Sequence, residues 1–112
     1  MLSKDHRLRH EKDIGKVLKS RAGAFDNACG VKMVKNDLDF SRFAVVVGTK
    51  VSKKAVDRNR IRRQYREILR SMMSMIKPGF DVILLTAKPA LPLDYHQKEA
   101  KLKGTLHRAK LL

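Results

Sequence analysis

The fold of this chain depends most on one basic stretch, which reads Lys50-Val-Ser-Lys-Lys-Ala-Val-Asp-Arg-Asn-Arg-Ile-Arg-Arg-Gln-Tyr-Arg-Glu-Ile-Leu-Arg70. It holds nine Lys or Arg in twenty-one residues, yet its apolar residues recur at helical spacing. On a helical wheel the apolar positions of this stretch and its continuation fall within roughly 100° of arc: Ile61, Tyr65, Ile68, Leu69, Met72 and Ile76. The pattern predicts an amphipathic helix that packs through one face, not a disordered basic tail.

The basic residues of this helix share one side. In steps of about 100° per residue from Arg58, one flank collects Arg62, Arg66, Asn59, Arg70 and Arg63, with Arg60 further round. Like charges at i, i+4 cost a few tenths of a kcal/mol per pair unless an anion lies opposite. A solvated charged surface normally mixes in acids, but only Asp57 and Glu67 do so here. We therefore expect the flank to contact nucleic acid, with a solvated surface as the alternative.

The charge of the whole chain also points to a polyanionic ligand. Its 112 residues include 26 Lys or Arg and 11 Asp or Glu, a formal net charge of +15. Because 43% of the residues are hydrophobic, the chain can furnish a core, and its length suits one domain over residues 1–112. No apolar run approaches the ~20 residues that cross a bilayer, so we expect a cytoplasmic protein without membrane contact. The single cysteine, Cys29, excludes an intramolecular disulfide and is expected in the core.

Apolar periodicity outlines the elements before the basic helix. Residues 13–19 carry the i, i+3, i+4 pattern of a short first helix, which can begin as early as residue 10. Alternation over residues 28–34 and an apolar run over 42–48 predict two strands. The polar turn at 35–39 between them predicts an antiparallel hairpin.

After the basic helix the chain predicts one more strand and one more helix. Lys77-Pro78-Gly79 should end the basic helix, because proline cannot continue a helix and glycine accepts the turn. Residues 80–86 predict a buried strand, and Asp94 can cap a final helix. The order helix, strands, helix, strand, helix favours one sheet with helices packed on it. A strand-helix-strand connection of this kind is ordinarily right-handed.

The sequence offers little evidence for a catalytic site or a metal site. No carboxylate pair, Ser/His/Asp set or glycine-rich phosphate loop has a diagnostic spacing, so we expect no catalytic residue. His6 and His10 lie among basic residues, which disfavours a bound cation. Asp5 and Asp13 suit helix capping or solvation better than a magnesium site at an RNA interface. We therefore expect no metal bound by the protein itself.

The basic helix lies within a longer motif that is specific enough to be compared with a known family. Lys53-Lys54-Ala55-Val56-Asp57-Arg58-Asn59-Arg60-Ile61-Arg62-Arg63 resembles the signature of the bacterial ribonuclease P protein component: two lysines, a connector, Arg-Asn-Arg and further basic residues. The pairs Arg7-Leu8, Asp13-Ile14 and Val17-Leu18 are similar to the family's N-terminal pattern. Val82-Ile83-Leu84-Leu85 with Ala87-Lys88-Pro89 resembles its last strand and the following turn. The resemblance covers nearly the whole chain in the right order.

The resemblance implies an α+β fold and a role beside a catalytic RNA. The fold would be an α/β sandwich similar to a domain of ribosomal protein S5, with a mixed, mainly antiparallel sheet, three helices and a left-handed crossover at the basic helix. A large RNA with magnesium would remove the 5′ leader from precursor tRNA, and this chain would bind both that RNA and the leader. The enzyme would be an endoribonuclease as a holoenzyme, with no active site in the protein and no obligate protein partner.

The resemblance also assigns residues. The RNA-binding residues would be Lys50, Lys53, Lys54, Arg58, Asn59, Arg60, Arg62, Arg63, Arg66 and Arg70. The groove for the leader would hold Ile14, Leu18, Lys32 and Arg66. Arginine forks grip phosphate, and asparagine can bond a 2′-hydroxyl or a base edge, which suits this division.

The groove is where this chain departs from the family. Members usually carry aromatic residues at the positions of Ile14 and often Leu18, and commonly near Lys32. Stacking of a base on an aromatic ring contributes about 1 to 3 kcal/mol. Without those rings, we expect charge to hold more of the leader, with Lys32 as a candidate phosphate contact and core packing as the alternative role of Ile14 and Leu18. Core or strand-end positions, in preference to stacking platforms, are expected for Phe25, Phe40, Phe43 and Phe80.

Two other classes of protein share some of these features. A small ribosomal or ribosome-assembly protein would have the same charge, size and fold, but would bind ribosomal RNA. A DNA-binding regulator would place Arg60 and Arg63 in a major groove and would need a dimer or a helix-turn-helix. A free-standing nuclease would need a cluster of metal-binding carboxylates.

Overall fold

The computed structural model describes residues 3–112 and builds them into a four-stranded sheet with helices on both faces. The strands are β1 (Gly23–Phe25), β2 (Cys29–Lys35), β3 (Arg42–Val46) and β4 (Phe80–Thr86). The α-helices are α1 (Glu11–Lys19), α2 (Ala55–Met72) and α3 (Tyr95–Arg108), and short 3₁₀ turns lie at Lys4–His6 and Lys88–Ala90. The predicted first helix, basic helix, last strand and final helix are all present, whereas β1 was not predicted.

The sheet has the order β1-β2-β4-β3. β2 is antiparallel to both β1 and β4, while β3 and β4 run parallel and are connected through α2. This confirms a mixed, mainly antiparallel sheet in an α+β fold. The hand of the β3-α2-β4 connection stays a prediction.

The predicted hairpin between β2 and β3 is wrong, because β4 lies between these two strands. Residues 82–85 of β4 are apolar at every position, which suits a strand that is covered on both faces and paired on both edges. The polar turn after β2 instead meets the start of β4, where the Asn36 amide N–H donates to the Gly79 carbonyl at 2.9 Å. The prediction of strands at β2 and β3 was correct, but these patterns do not say which strand is the neighbour.

Each face of the sheet has its own core. On one face α2 and α3 pack their apolar sides on Val31, Val45, Val82 and Leu84. The predicted wheel is confirmed there, since Ile61, Tyr65, Ile68, Leu69 and Met72 of α2 are buried. On the opposite face Val17 of α1 and Leu8 pack on Ile83.

The ends of α2 and α3 are set by local chemistry. α2 ends at Met72, several residues before the predicted Lys77-Pro78-Gly79 stop, and a turn follows in which the Ile76 N–H bonds the Met72 carbonyl at 3.1 Å. Gly79 has φ +88°, so the glycine does accept the turn into β4. The predicted cap of α3 is confirmed: Asp94 accepts from the Gln97 N–H, and the Gln97 side chain accepts from the Asp94 N–H.

An ionic network fastens α1 to the sheet. Asp81, which is buried at the start of β4, accepts two hydrogen bonds from the Arg42 guanidinium at 2.8 and 2.7 Å and a third from Asn36 at 2.9 Å. The same guanidinium reaches Asp13 of α1 at 3.3 Å. Asp13 therefore holds the orientation of α1, which explains this carboxylate without a metal ion.

Within residues 3–112, no helix combines the length and the apolar character that crossing a membrane requires.

Candidate nucleic-acid interface

The start of α2 is organised by the loop that precedes it. Ser52 accepts a hydrogen bond from the Lys54 N–H at 3.1 Å and donates to Asp57 at 2.9 Å. The Arg58 guanidinium donates to the Ser52 carbonyl at 2.9 Å, so the arginine and the loop hold each other in place. The loop lysines Lys50, Lys53 and Lys54 are exposed beside this start.

Arg62 continues the same flank one turn along the helix. Its guanidinium donates to the Asn59 side-chain oxygen at 2.8 Å and reaches the Val47 carbonyl at 3.5 Å. The acceptors seen for Arg58 and Arg62 are uncharged, so these bonds orient the guanidinium groups and leave their positive charge uncompensated. We call Arg58, Asn59 and Arg62, with the three loop lysines, the motif face.

Three further arginines of α2, Arg60, Arg63 and Arg70, lie outside these contacts. Arg60 is half exposed and lies 3.8 Å from Asp57, on the side of α2 that faces Lys98 of α3. Arg63 is exposed, and Arg70 is hydrogen-bonded to Glu67, which lowers the pKa of that carboxyl to about 2. The structure therefore brings only part of the predicted RNA-binding set together on the motif face.

Sequence reasoning missed the buried lysine beside Arg60. Lys98 is 1% exposed, and its ammonium donates to the Leu93 carbonyl. Burial, with the nearby charge of Arg60, lowers the pKa of Lys98. A lysine near the start of a charged helix gives no sequence signal for this position, since burial there depends on how α3 docks on α2.

A cavity of about 440 Å³ opens next to the motif face. The segment before α1 extends the sheet here, because the Leu8 N–H donates to the Phe43 carbonyl at 2.8 Å and Arg7 bridges to Phe43 in parallel. Beyond that contact, the cavity is lined by Arg7, Arg9, Ile14, Arg66 and residues 43–46 of β3. Three arginines from two segments thus surround the open edge of β3.

Arg66, like Arg7, is half-buried. Burial, followed by the nearby charges of Arg62 and Arg7, lowers the pKa of its guanidinium. A guanidinium retains its charge even so, since its ordinary pKa lies far above neutrality. An anion placed in the cavity would relieve this repulsion.

Next to the cavity α1 lies across one face of the sheet, and we call the strip of sheet beside α1 the cleft. Val17 of α1 packs on Ile83, and Asp13 is turned to Arg42 on one side of that contact. Ile14 and Leu18 occupy the other side of the helix, about 100° or less from Val17, and Ile14 packs in the same apolar cluster as Leu85 of the next row of the sheet. That row crosses three strands, because Gly30 pairs with Leu85 and Leu85 pairs with Val46.

The predicted groove residues lie along this cleft. Ile14 lines the cavity with Arg66, while Leu18 is 45% exposed at the far end of α1. Lys32, on the neighbouring row of β2, donates from its ammonium to the Leu18 carbonyl at 2.9 Å. Ile14 and Arg66 thus share the cavity at the β3 edge, whereas Leu18 and Lys32 meet where the end of α1 lies on β2.

Comparison with known proteins identifies the family. The family model for Ribonuclease P matches residues 2–110. This chain belongs to the ribonuclease P protein family.

Two curated ribonuclease P protein components illustrate the match. The Pseudanabaena sp. protein is 33% identical over the whole of this chain and 97% of its own length. The Cyanothece sp. protein is 39% identical over 74% of this chain, a match that spans 64% of that protein. Among solved structures, the RNase P protein from Thermotoga maritima superposes with a TM-score of 0.82 at 31% identity, covering 91% of this chain and 96% of that one.

This ribonuclease P protein carries no carboxylate or histidine cluster suited to a metal within residues 3–112, where His, Cys, Asp and Glu nowhere group in threes around a common point. His6 instead bonds the Ser41 carbonyl at 2.8 Å and packs edge-on against Phe40. Within the family's motif, the geometry provides forked hydrogen-bond donors and positive charge, which suit phosphate and not acid-base chemistry.

Proposed function

We propose that this chain is the protein subunit of a ribonuclease P holoenzyme and binds two RNA surfaces at once. The motif face takes the catalytic RNA, and the cleft between α1 and the sheet takes the 5′ leader of precursor tRNA. The observation that carries this proposal is the continuity of the two surfaces. Arg62 on the motif face and Arg66 in the cavity are one helical turn apart, so RNA on one surface leads directly to the other.

The motif face supports contact with folded RNA because its guanidinium groups are held before the RNA arrives. Arg58 and Arg62 are fixed by neutral acceptors, so little side-chain freedom remains to be lost on binding. The five donors of each guanidinium exceed the bonds made here, and the remaining donors can bind phosphate oxygens.

The cleft supports contact with a single strand because it joins positive charge to an apolar floor. Arg66 and Arg7 supply charge at the β3 edge, and Leu85 and Val46 supply apolar surface on which bases can lie. Ile14 and Leu18 widen this apolar surface without offering an aromatic face.

Magnesium would be held by the RNA subunit in this proposal. When bound there, the ion would supply the activated water and the charge stabilisation of phosphodiester hydrolysis. The residues of the protein would bind the leader, orient it and reduce repulsion between RNA strands. Reduced repulsion predicts that the protein lowers the magnesium concentration needed for cleavage.

Reconstitution tests the proposal. The chain is added to a bacterial catalytic ribonuclease P RNA at low magnesium, and 5′ cleavage of precursor tRNA is followed beside Arg58→Ala/Arg62→Ala. A matched control, Lys77→Ala/Lys103→Ala, removes the same charge from exposed side chains outside the motif face. We expect cleavage with the chain and with the control, and strongly reduced cleavage with the arginine variant.

Two results would contradict the proposal. Equal loss in both double variants would mean that total charge matters and the motif face does not. If the chain leaves cleavage unchanged while still binding RNA with a steep salt dependence, the ribosomal alternative takes its place.

A further inference from the structure

Phe25 is the one aromatic side chain among the phenylalanines and tyrosines of residues 3–112 that lies mostly outside the core. It is 61% exposed at the end of β1, whereas Phe43 and Tyr65 are buried. Phe25 therefore occupies a strand end, which is one of the two positions expected for it. A single exposed phenylalanine is common on protein surfaces, so its role has to be argued from its surroundings.

The ring of Phe25 lies on the floor of the cleft. Phe25 pairs with Gly30 in the register of β1 and β2, and its side chain emerges on the same face as Leu85 and Val46. The ring covers Gly30 closely, since a Cβ built on that glycine would stand 2.1 Å from the ring Cδ1. The ring thus rests on the glycine, while the side chain as a whole is 61% exposed.

The position of the ring is fixed from below. An Arg108 guanidinium nitrogen of α3 donates to the Phe25 carbonyl at 3.1 Å. The next residue, Asp26, lies 3.6 Å from the Lys101 ammonium of the same helix. Two ties to α3 thus hold the end of a three-residue strand that would otherwise fray.

Phe25 and Arg66 mark the two ends of one row. Val46 meets Arg66 at the cavity, and the row passes through Leu85 and Gly30 to Phe25. Four strands at a spacing of about 4.8 Å make this row roughly 14 Å long, enough for a few nucleotides. Lys32 lies on the adjacent row, so a phosphate chain along the cleft would pass between cations.

We propose that Phe25 is the stacking platform for a leader nucleobase at the end of the cleft furthest from the motif face. This inference rests on the proposed function, which places the leader in the cleft. Arg66, beside the motif face, meets nucleotides near the cleavage site, and Phe25 meets a nucleotide further upstream. The aromatic surface missing at Ile14 and Leu18 is thereby supplied from β1.

Leader length provides the test. Holoenzyme carrying Phe25→Ala, Phe25→Leu or Arg66→Ala is titrated with precursor tRNAs whose leaders are shortened one nucleotide at a time. We expect Phe25→Ala and Phe25→Leu to weaken binding of long leaders by about tenfold, the loss of one stacked base. Leaders too short to reach β1 should bind these two variants like the original chain, while Arg66→Ala weakens the short leaders as well.

A second readout uses the absence of tryptophan from the chain. Phe25→Trp places a single indole on the platform and keeps an aromatic face. We expect its fluorescence to be quenched by precursors with long leaders and to stay unchanged with mature tRNA. Affinity for long leaders should match that of the original chain.

Other outcomes separate the two proposals. If Phe25→Ala leaves all affinities unchanged while Arg66→Ala lowers them, Phe25 is not a platform and the leader path still stands. A loss with Phe25→Ala that also extends to mature tRNA would assign Phe25 a structural role and overturn the inference. If no substitution in the cleft, Arg66→Ala included, changes precursor affinity, the leader path itself fails.

Discussion

Arginines at two places in this molecule have opposite surroundings. At one end of the sheet, Arg42 is paired with the carboxylates of Asp81 and Asp13. On the motif face, Arg58 and Arg62 are oriented by a backbone carbonyl and a side-chain amide. Both settings fix the guanidinium, but only the first compensates its charge. The difference separates an arginine that stabilises the fold from arginines that remain attractive to an anion.

Substitution of Arg42 gives the largest expected effect. Arg42→Met removes the partner of a carboxylate that is 3% exposed, so Asp81 is left buried and unpaired. We expect about 3 kcal/mol of lost unfolding free energy, measured by urea denaturation. Asp13→Asn is the internal control. It should lower the unfolding free energy by less, because the Asp13 carboxylate is farther from the guanidinium and more exposed than that of Asp81. Equal costs for both variants would contradict the view that Asp81 is the main partner.

Substitution of Arg62 should have the reverse profile. Arg62→Ala leaves no carboxylate unpaired, so we expect the unfolding free energy to change by no more than about 0.5 kcal/mol. Affinity for the catalytic RNA should fall by about tenfold, since one charge-assisted contact is lost. A filter-binding titration over salt should show a slope smaller by about one. If Arg62→Ala lowered stability without lowering affinity for RNA, Arg62 would stabilise the fold as Arg42 does, and the distinction between the two kinds of arginine would be contradicted.

Substitution of Lys32 should have an effect smaller than that of either arginine. The Lys32 ammonium donates to the Leu18 carbonyl, which is uncharged, so this contact does not compensate the positive charge of the lysine. Lys32→Ala should lower affinity for precursor tRNA severalfold and reduce the salt slope by up to about one. Mature tRNA serves as the control ligand and should bind unchanged. An unaltered affinity and slope for the precursor would remove Lys32 from the leader path.

The exposed pair Glu67–Arg70 should matter least. The hydrogen bond from Arg70 is the largest of the contributions that lower the pKa of Glu67 from 4.5 to about 2, so this carboxylate adds stability above pH 4.5 that is lost as the pH falls toward 2. Glu67→Gln should therefore match the original chain at low pH and be slightly less stable near neutrality. Thermal unfolding across this pH range is the measurement. A larger difference in acid than at neutral pH would reverse the sign and contradict the pairing.

Helix amphipathicity carried most of the correct sequence predictions. Ile61, Tyr65 and Ile68 identify the buried side of α2 because a regular helix fixes which residues share a face. The same regularity placed Arg62 and Arg66 on one flank. It does not reveal what each guanidinium contacts, because the carbonyls of Ser52 and Val47 come from the loop before the helix.

Contacts between distant segments explain the misses. The pairing of β2 with β4 joins Cys29 to Thr86, far apart in sequence, and a local turn pattern favoured the nearer strand instead. β1 has only three residues, too few for an alternation signal, so the sequence did not predict this strand. The continuous apolar run of β4 was the available clue to a central strand.

The central position of β4 has a consequence for synthesis. β2 and β3 have no pairing with each other, and both depend on a strand that follows them in the chain. At about 5 to 20 residues per second, the ribosome needs several seconds to pass from the end of β2 to the end of β4. During that interval the polycationic α2 emerges before its sheet can close. Nascent chains therefore spend this time with two open strand edges, and a chaperone or an RNA that shields them would act within the same window.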